Sequence, residues 1–280
     1  MQLQYNEPLA QHTSWHVGGV AEQYYRPENL ADLVAVLKAT PADTPITWLG
    51  LGSNVLISDS GIKGLVIHTK NTLNNIELLA DNTIKIAAGV SCAKVARFVG
   101  KQRLYGAEFF AGIPGTMGGA LAMNAGAFGG ATWDHVVQVI TINSAGLINT
   151  RQKFEYSIGY RSVQVPVANE WFIAAILKFP DHNTLAEPKD IKILLRQRNN
   201  SQPIGVFSGG SVFKNPPGDY AGRLIEAADL KGYSIGSAVI SPKHGNFIIN
   251  TGKATAADIM QLMAYIQNTV LEKFNIVLEP

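Results

Sequence analysis

The sequence has 280 residues, enough for one large domain or two of ordinary size, and 46% hydrophobic against 16% charged content excludes a disordered chain. A net charge of +2, with lysine and arginine scattered, excludes a surface built for nucleic acid. The single cysteine, Cys92, excludes an intrachain disulfide and favours a reducing compartment.

The first part of the chain alternates predicted helices with short strands. Helices are predicted at 30–39, with Asn29 as the cap, and at 91–102. Short strands are predicted at 45–49, 65–67, 84–86, 136–142 and 171–179. This mixture predicts an α+β fold.

The chain changes character after residue 181. A polar break at 181–184 precedes two predicted helices, one from Pro188 to about Arg198 and one from Tyr220 to Asp229. The clearest predicted helix, 256–274, follows. No internal repeat is present. Because of this change in character, the second part is predicted to be a separate α+β region.

The helix predicted at 256–274 carries both a start signal and a core-facing stripe. Thr255 and Asp258 form a capping-box pattern. Apolar residues recur at helical spacing at Ile259, Met263, Ile266, Val270 and Phe274. We expect Met260, Met263 and Tyr265 to belong to the core rather than to a ligand site.

Two glycine-rich segments stand out. The segment 106–130, GAEFFAGIPGTMGGALAMNAGAFGG, has seven glycines between 112 and 130, and a shorter one, GLGSNVL, spans 50–56. Successive backbone N–H groups without side chains can form an anion-binding concavity. Two such segments predict a large phosphate-bearing cofactor. The structural alternative is a pair of tight turns in a β-rich domain.

The shorter segment departs from the dinucleotide-binding pattern GxGxxG. Val55 stands where the third glycine belongs, and the residues that follow, LISDSG, do not predict a long helix. The alternative is a flavin-binding fold in which loops between strands hold the pyrophosphate. Ser53 and Asn54 would then add side-chain donors to the backbone N–H groups.

Five segments occur in the order of a known family. They are GLGSNVLISD at 50–59, the segment 106–130, Tyr160-Arg161, GSVFKNP at 210–216 and VLEP at 277–280. The chain resembles the UDP-N-acetylenolpyruvoylglucosamine reductase (UDP-N-acetylmuramate dehydrogenase) family, from HTSWHVGG at 12–19 to its last residue. The short connection 159–164 is similar to that of the shorter of the family's two forms.

The resemblance implies an FAD enzyme of bacterial peptidoglycan synthesis that uses NADPH. It implies a two-lobed FAD-binding domain of the vanillyl-alcohol-oxidase/PCMH type, followed by an α+β substrate-binding domain. We place the first domain at 1–180, with lobes of about 1–70 and 71–180, and the second at 181–280. The substrate is an enolpyruvyl ether of a UDP-sugar.

The resemblance also implies site residues. Arg161 matches the arginine that binds the substrate carboxylate and stabilises the developing enolate, and Ser211 matches the serine that donates a proton. Substrate contacts are assigned to Tyr160, Lys214 and Asn215. The residues assigned to FAD are Gly50, Gly52, Ser53, Asn54, Val55, Leu56, Gly112, Pro114, Gly115, Gly118, Gly119, Asn124, Gly126 and Ala127.

Structural roles without a function in the site remain possible for several of these residues. On residue type alone, Arg161 could form a surface salt bridge and Ser211 could bond its own backbone in a turn. Arg196 and Arg198 are weaker candidates for the diphosphate, and a solvated helix face explains them equally well. For His244 a structural role is favoured. No metal site is predicted, because the histidines lack ligand spacing.

The family's last motif, Leu-x-x-Glu, ends in a second catalytic acid. Here Leu278-Glu279-Pro280 closes the printed sequence, so Glu279 stands at a variable position and receives no catalytic role. Either the sequence stops one residue short of that acid or the protein lacks it, and we expect the first.

Two other functions fit parts of the pattern. One is a different FAD oxidoreductase of the same fold, and the other is a non-catalytic UDP-sugar or flavin-binding protein. The first residues lack the apolar stretch typical of a signal peptide, so we expect a cytoplasmic protein. We expect a small-molecule substrate, with no nucleic-acid, membrane or obligate protein partner.

Overall fold

The computed structural model of the protein describes residues 3–180 and 190–280. Short strands dominate these residues. They are β1 (Gln4–Pro8), β2 (Val20–Tyr25), β3 (Ile46–Leu49), β4 (Ile62–His68), β5 (Ile76–Leu78), β6 (Thr83–Ala87), β7 (Gly126–Ala127), β8 (Gly130–Ala131), β9 (Val136–Asn143), β10 (Ile148–Gln152), β11 (Ser157–Gly159), β12 (Ser162–Gln164), β13 (Glu170–Lys178), β14 (Phe207–Ser211), β15 (Ser234–Ile235), β16 (Ala238–Ile240) and β17 (Phe247–Asn250).

The described residues also form six α-helices, of which the last follows the final strand. They are α1 (Leu30–Ala39), α2 (Cys92–Lys101), α3 (Met117–Met123), α4 (Ile191–Ser201), α5 (Ala221–Ala227) and α6 (Ala256–Phe274). Short 3-10 helices occur at Leu9–His12, Glu108–Gly112, Thr132–Asp134 and Lys153–Glu155. The α+β prediction is confirmed.

The chain divides into two compact units, each drawn from three separate stretches. Unit 1 comprises Met1–Gln4, Gln23–Leu51 and Gly64–Arg196, and unit 2 comprises Tyr5–Glu22, Gly52–Lys63 and Gln197–Pro280. The domain boundary predicted at residues 180–181 adjoins residues 181–189, which lie outside the described part of the chain, and it stays a prediction. The polar break and Pro188 fall in the same interval.

Unit 1 is built on a five-stranded antiparallel sheet in the order β10-β9-β13-β6-β5. The helix α2 covers it because Val95, Ala96 and Val99 recur at helical spacing and are buried in the same core as Ile84 and Ile86. The Ser91 side chain accepts a hydrogen bond from the N–H of Lys94, which caps this helix. The predicted helix is confirmed.

The helix α1 and the strands β3 and β4 flank the shorter glycine-rich segment, 50–56, in the sequence. The helix α1 begins behind Asn29, whose side chain accepts a hydrogen bond from the N–H of Asp32, as predicted. The strands β3 and β4 pair in parallel, with Leu49 opposite His68. The strand β3 ends at Leu49, and Gly50 follows it directly.

Unit 2 contains a four-stranded antiparallel sheet in the order β14-β17-β16-β15, covered by α5 and α6. The capping box of α6 is present: Thr255 Oγ1 accepts from the N–H of Asp258, and the Asp258 carboxylate accepts from the N–H of Thr255. Ile259, Ile266 and Val270 are fully buried. The helix has the predicted bounds.

Two residues of α6 correct the core prediction. Met260 is 57% exposed, and Tyr265 is 38% exposed and stacks on Tyr233 with ring centroids 4.4 Å apart. Only one stripe of a helix faces a sheet, and these residues lie beside that stripe. Met263 packs against the core, as expected.

Candidate functional site

The end of β3 meets the longer glycine-rich segment at a buried hydroxyl. A Cβ atom on Gly50 would lie 2.6 Å from Oγ1 of Thr116, so only glycine fits at position 50 without displacing that side chain. Thr116 is 3% exposed, and its hydroxyl has no hydrogen-bond partner among the described residues. Buried polar groups are rarely left unpaired, so this hydroxyl is a candidate donor to a ligand.

The rest of the shorter segment belongs to unit 2. Gly52 has a φ of +73°, which disfavours other residues, and a Cβ there would lie 2.0 Å from the carbonyl oxygen of His12. Both the backbone conformation and the close approach therefore require glycine. Leu56 packs against the core of unit 2, while Asn54 and Val55 are exposed and Ser53 is half-buried. The proposed donors Ser53 and Asn54 therefore remain accessible in this unit.

Close approaches also explain glycines of the longer segment. A Cβ atom would lie 2.4 Å from the Phe128 ring at Gly112, 3.0 Å from the Ala88 Cβ at Gly118, and 2.4 Å from the Gly130 carbonyl oxygen at Gly126. At Gly112 and Gly126 the obstacle lies within the segment itself, whereas Gly118 lets the segment approach Ala88, the residue that follows β6. Gly119, by contrast, has open space around it, and the contacts a side chain there would meet begin at 3.8 Å.

The remaining predicted FAD residues lie in the same segment of unit 1. Pro114 is exposed, and the carbonyl oxygen of Gly115 accepts a hydrogen bond from the N–H of Cys92 at 2.9 Å. Ala127 and Gly126 form β7, which pairs with β8. Asn124 ends α3 with a φ of +42°.

Arg161 stands in the two-residue loop of the β11–β12 hairpin, directly after Tyr160. Its φ is +52°, a left-handed conformation that is strained for a bulky residue. The guanidinium Nη2 donates a hydrogen bond to the carbonyl oxygen of Gly126 at 2.9 Å, and the Asn124 amide donates one to the carbonyl of Gly159 at 3.0 Å. The hairpin and the glycine-rich segment are thus joined twice.

Ser211 is the last residue of β14 and is exposed in unit 2. The Lys214 side chain forms an ion pair with Glu279, and the N–H of Lys214 donates to the carbonyl oxygen of Glu279 at 2.8 Å. Asn215 Oδ1 accepts a hydrogen bond from the N–H of Ala221 at the start of α5, at 3.2 Å. The three predicted residues of GSVFKNP therefore share one unit, and two of them also have structural partners.

The weaker candidates have ordinary surroundings. Arg198 lies in α4 and donates from Nε to Gln202 at 2.8 Å, and burial lowers the pKa of its guanidinium. The ring of His244 accepts a hydrogen bond from the N–H of Asn246 at 3.2 Å, and burial, followed by the charge of Lys231, lowers its pKa. Both fit structural roles. Arg196 also lies in α4, within unit 1.

Thr116 is the site residue that the sequence analysis missed. It lies between two residues that were predicted to bind FAD, Gly115 and Gly118. Its position inside the glycine-rich segment was the available signal, but only the fold shows that its hydroxyl is buried and unpaired.

Residues 3–180 and 190–280 contain no cluster of three or more His, Cys, Asp or Glu side chains suited to a metal ion. Within the same residues, no helix combines the length and apolarity that crossing a membrane requires.

Two family models match the chain. One, described as UDP-N-acetylenolpyruvoylglucosamine reductase, C-terminal domain, matches residues 202–280. The other, described as FAD binding domain, matches residues 21–150.

Full-length relatives agree with these matches. The chain is 50% identical to a UDP-N-acetylenolpyruvoylglucosamine reductase of Alkalilimnicola ehrlichii, over 100% of this chain and 93% of that protein. It is 52% identical to one of Legionella pneumophila (strain Corby), over 98% and 89% respectively. The crystal structure of the Thermus caldophilus enzyme superimposes with a TM-score of 0.78 at 29% identity, covering 99% of this chain and 96% of that one.

Proposed function

The chain belongs to the UDP-N-acetylenolpyruvoylglucosamine reductase family, and from that premise we propose which of its residues bind FAD, hold the substrate and deliver the proton. The protein is an FAD-dependent oxidoreductase that uses NADPH to reduce UDP-N-acetylglucosamine enolpyruvate to UDP-N-acetylmuramate in peptidoglycan synthesis. The reductase interpretation and the FAD-binding fold are confirmed, and the two alternative functions give way to them. The chemistry that FAD supplies when bound is hydride transfer from NADPH to the substrate alkene.

The residues at the glycine-rich segments fit a phosphate-bearing cofactor. The Thr116 hydroxyl is a buried donor without a partner in the described residues, and Gly50 leaves the space beside it that a side chain would fill. A hydroxyl in such a place can donate to a phosphate oxygen. We propose that Thr116 and Gly50 hold FAD together with the predicted residues of both segments, which include Ser53, Asn54 and Gly118.

Arg161 is proposed to bind the substrate carboxylate. Its guanidinium is anchored within unit 1, because Nη2 donates a hydrogen bond to the carbonyl oxygen of Gly126 in the longer glycine-rich segment. A guanidinium has five N–H donors, so the bond to Gly126 leaves donors for a carboxylate. Negative charge that develops on the carboxylate during hydride addition is stabilised by a cation fixed in this way. This cation, anchored beside the glycine-rich segment, is the observation that carries the proposal.

Ser211 is proposed to donate the proton that completes the reduction. A serine hydroxyl is a weak acid in water, so its position relative to the carbanion must supply much of the effect. Ser211 is exposed in unit 2 and sits at the end of a strand, which holds its backbone while leaving the hydroxyl accessible.

Substrate contacts are proposed for three further residues. Tyr160 is 61% exposed and adjoins Arg161 in the hairpin loop. The Lys214 ammonium pairs with Glu279 in a half-exposed position, where a diphosphate could compete for it. Asn215 caps α5 through its side-chain oxygen, so its amide nitrogen is the group left for a sugar or phosphate.

The cellular setting is also proposed. One cysteine and a small-molecule UDP-sugar substrate suit the reducing cytoplasm. We propose a role in cell-wall biogenesis, and through it in cell shape and division, because the substrate belongs to peptidoglycan synthesis. We propose a domain boundary near residue 180 and no obligate protein partner.

The test separates the two half-reactions under anaerobic conditions. Flavin reduction by NADPH is followed by absorbance, and reoxidation is then started with UDP-N-acetylglucosamine enolpyruvate. Ser211→Ala is expected to leave reduction intact and to slow reoxidation by about 10²-fold or more, because a positioned proton donor is lost. The matched control is Ser234→Ala, an exposed serine of β15 in the same sheet.

The two half-reactions also define failure. Equal slowing of both by Ser211→Ala would mean that the serine supports FAD binding or the fold. Unchanged reoxidation would remove Ser211 from the mechanism.

A further inference from the structure

We propose that Trp15 is a positioning residue for Ser211 and acts through the glycine pair that precedes it. The proposal rests on the assignment of Ser211 as proton donor. It concerns only unit 2, which contains both Trp15 and the sheet that carries Ser211. Trp15 lies in HTSWHVGG at 12–19, a motif of the family resemblance to which the proposed function gives no role.

Ser211 follows a bulge in β14. Ser208 pairs with Ile249 of β17 and Ser211 pairs with Phe247, so two residues of β14 lie opposite the single residue Ile248. The two are Gly209 and Gly210, and Gly210 has a φ of +79°. A bulge of this kind redirects the side chain that follows it and is common beside active sites. The direction of the Ser211 hydroxyl therefore depends on how the bulge is held.

The Trp15 ring lies against the first residue of the bulge. A Cβ atom on Gly209 would lie 2.8, 2.9 and 3.0 Å from three carbons of the indole, Cζ3, Cη2 and Cε3. These are the nearest heavy atoms, and the backbone of Gly209 is not in the left-handed region. The indole is thus the obstacle to an alanine at position 209.

Trp15 is itself fixed to the strand opposite the bulge. Its Nε1–H donates to the carbonyl oxygen of Ile248 at 2.9 Å, and the Asn250 side chain donates to the carbonyl oxygen of Trp15 at 2.9 Å. The residue is 5% exposed and belongs to the core of unit 2. One side chain therefore contacts the bulged strand with its ring and bonds the partner strand with its nitrogen.

The neighbours of Trp15 hold the same strand. Ser14 Oγ donates to the carbonyl oxygen of Ser208 at 2.7 Å, and the ring of His16 stacks on Phe207 with centroids 4.0 Å apart. Three successive residues, 14–16, thus contact three successive residues of β14, 207–209. A serine that donates a proton gains most from such fixed geometry, because its intrinsic acidity is low.

The experiment uses the holoenzyme and two substitutions. Gly209→Ala creates a clash with the Trp15 ring, and Trp15→Leu removes that ring. Gly209→Ala is expected to slow reoxidation by the enolpyruvyl substrate by about 10- to 100-fold and to leave reduction by NADPH unchanged, because the new methyl group moves the bulge off the ring. Trp15→Leu is expected to slow the same step by about 10-fold. The double variant should be no slower than Trp15→Leu alone, because the methyl group then meets no ring.

Thermal unfolding separates positioning from a loss of stability. Leu262→Ala removes volume from the same core at a residue of α6 rather than of β14, and it should lower the melting temperature while reoxidation stays intact. Trp15→Phe keeps a ring under Gly209 but loses the bond to Ile248, and it remains informative if Trp15→Leu does not fold.

Three results would overturn the proposal. They are additive slowing in the double variant, equal slowing of both half-reactions by Gly209→Ala, and reoxidation by the Trp15 variants no slower than in Leu262→Ala. Ser211→Ala is measured alongside. If it leaves reoxidation unchanged, the proposed function of Ser211 fails, whereas slow Ser211→Ala with normal Trp15 and Gly209 variants rejects only the positioning role.

Discussion

The side-chain amide of Asn246 pairs with both backbone groups of Phe213. Its Oδ1 accepts from the N–H of Phe213 at 2.9 Å, and its Nδ2 donates to the carbonyl oxygen of Phe213 at 2.8 Å. Asn246 is 3% exposed, and its own carbonyl oxygen accepts from the N–H of Val212. The backbone of Val212 and Phe213, just after Ser211, is therefore held by hydrogen bonds to the single residue Asn246.

We predict that Asn246→Asp makes the stability of unit 2 depend on pH in the opposite sense to most acidic residues. An ionised carboxylate would face the carbonyl oxygen of Phe213, which it cannot donate to, whereas a protonated carboxyl can. The aspartate pKa should therefore be raised, and stability should rise as the pH falls below it. Thermal unfolding between pH 8 and 4 measures this, with Asn246→Leu as the control that keeps only the pH dependence of the other groups. Parallel profiles for the two variants would contradict it.

Thr116→Val should separate FAD affinity from the stability of the protein without FAD. Removing a buried hydroxyl that has no partner should stabilise the FAD-free protein by about 1 kcal/mol, while FAD binding should weaken about 10-fold because a donor to phosphate is lost. Calorimetric unfolding and flavin titration measure the two effects.

The contrast for this test is Thr132→Val in the same part of unit 1. Thr132 is also buried, but its hydroxyl donates to the carbonyl oxygen of Ala125 at 2.7 Å. Its loss should destabilise the FAD-free protein. Destabilisation by both threonine variants would show that the Thr116 hydroxyl has an internal role.

Asp59→Ala should destabilise the start of α6. The Asp59 carboxylate accepts from the N–H groups of Ala256 at 2.8 Å and Ala257 at 2.9 Å, which no residue within the helix can satisfy. By analogy with a lost cap, the free energy of unfolding should fall by about 1 kcal/mol. Denaturant unfolding measures the change against Asp43→Ala, an exposed aspartate of unit 1. Equal midpoints for both variants would argue that water replaces Asp59.

His135→Phe should flatten the acid side of the stability profile. Burial lowers the pKa of His135, and a weak bond to the carbonyl oxygen of Lys178 only partly offsets it; the ring stacks on Phe179, with centroids 4.8 Å apart. With the folded pKa below the unfolded value of about 6.5, stability is complete above that pH and falls as the pH drops toward the folded pKa. Melting temperatures at pH 7.5, 6.5 and 5.5 test this. An equally steep loss in the variant would place the acid sensitivity elsewhere.

The parts of the fold that sequence predicts well depend on neighbouring residues. Thr255 and Asp258 signal the start of α6, and the apolar spacing carries the helix to Phe274, so its bounds follow from local pattern. Asn29 does the same for α1. The glycine-rich segments were predicted as a cofactor site for a similar reason, since glycine at these positions is itself the signal.

What sequence could not predict depends on distant pairing. The bulge at Gly209 and Gly210 exists only because β14 pairs with β17, and the unpaired hydroxyl of Thr116 is evident only once the fold buries it. Asn246 lies near His244 in the sequence, yet it pairs with Phe213, 33 positions away. No periodicity in the sequence reports contacts of this kind.

The bond from Trp15 to Ile248 joins positions 233 apart in the chain. During synthesis Trp15 leaves the ribosome well before Ile248, so this hydrogen bond can form only after Ile248 has also emerged. The reductase family model begins at residue 202, but the physical unit that it describes also needs residues from the amino-terminal part. A recombinant fragment limited to 202–280 would lack the ring beneath Gly209 and the carboxylate that caps α6. We therefore expect a fragment cut at the boundary recognised in sequence comparison to be less stable than unit 2 as a whole.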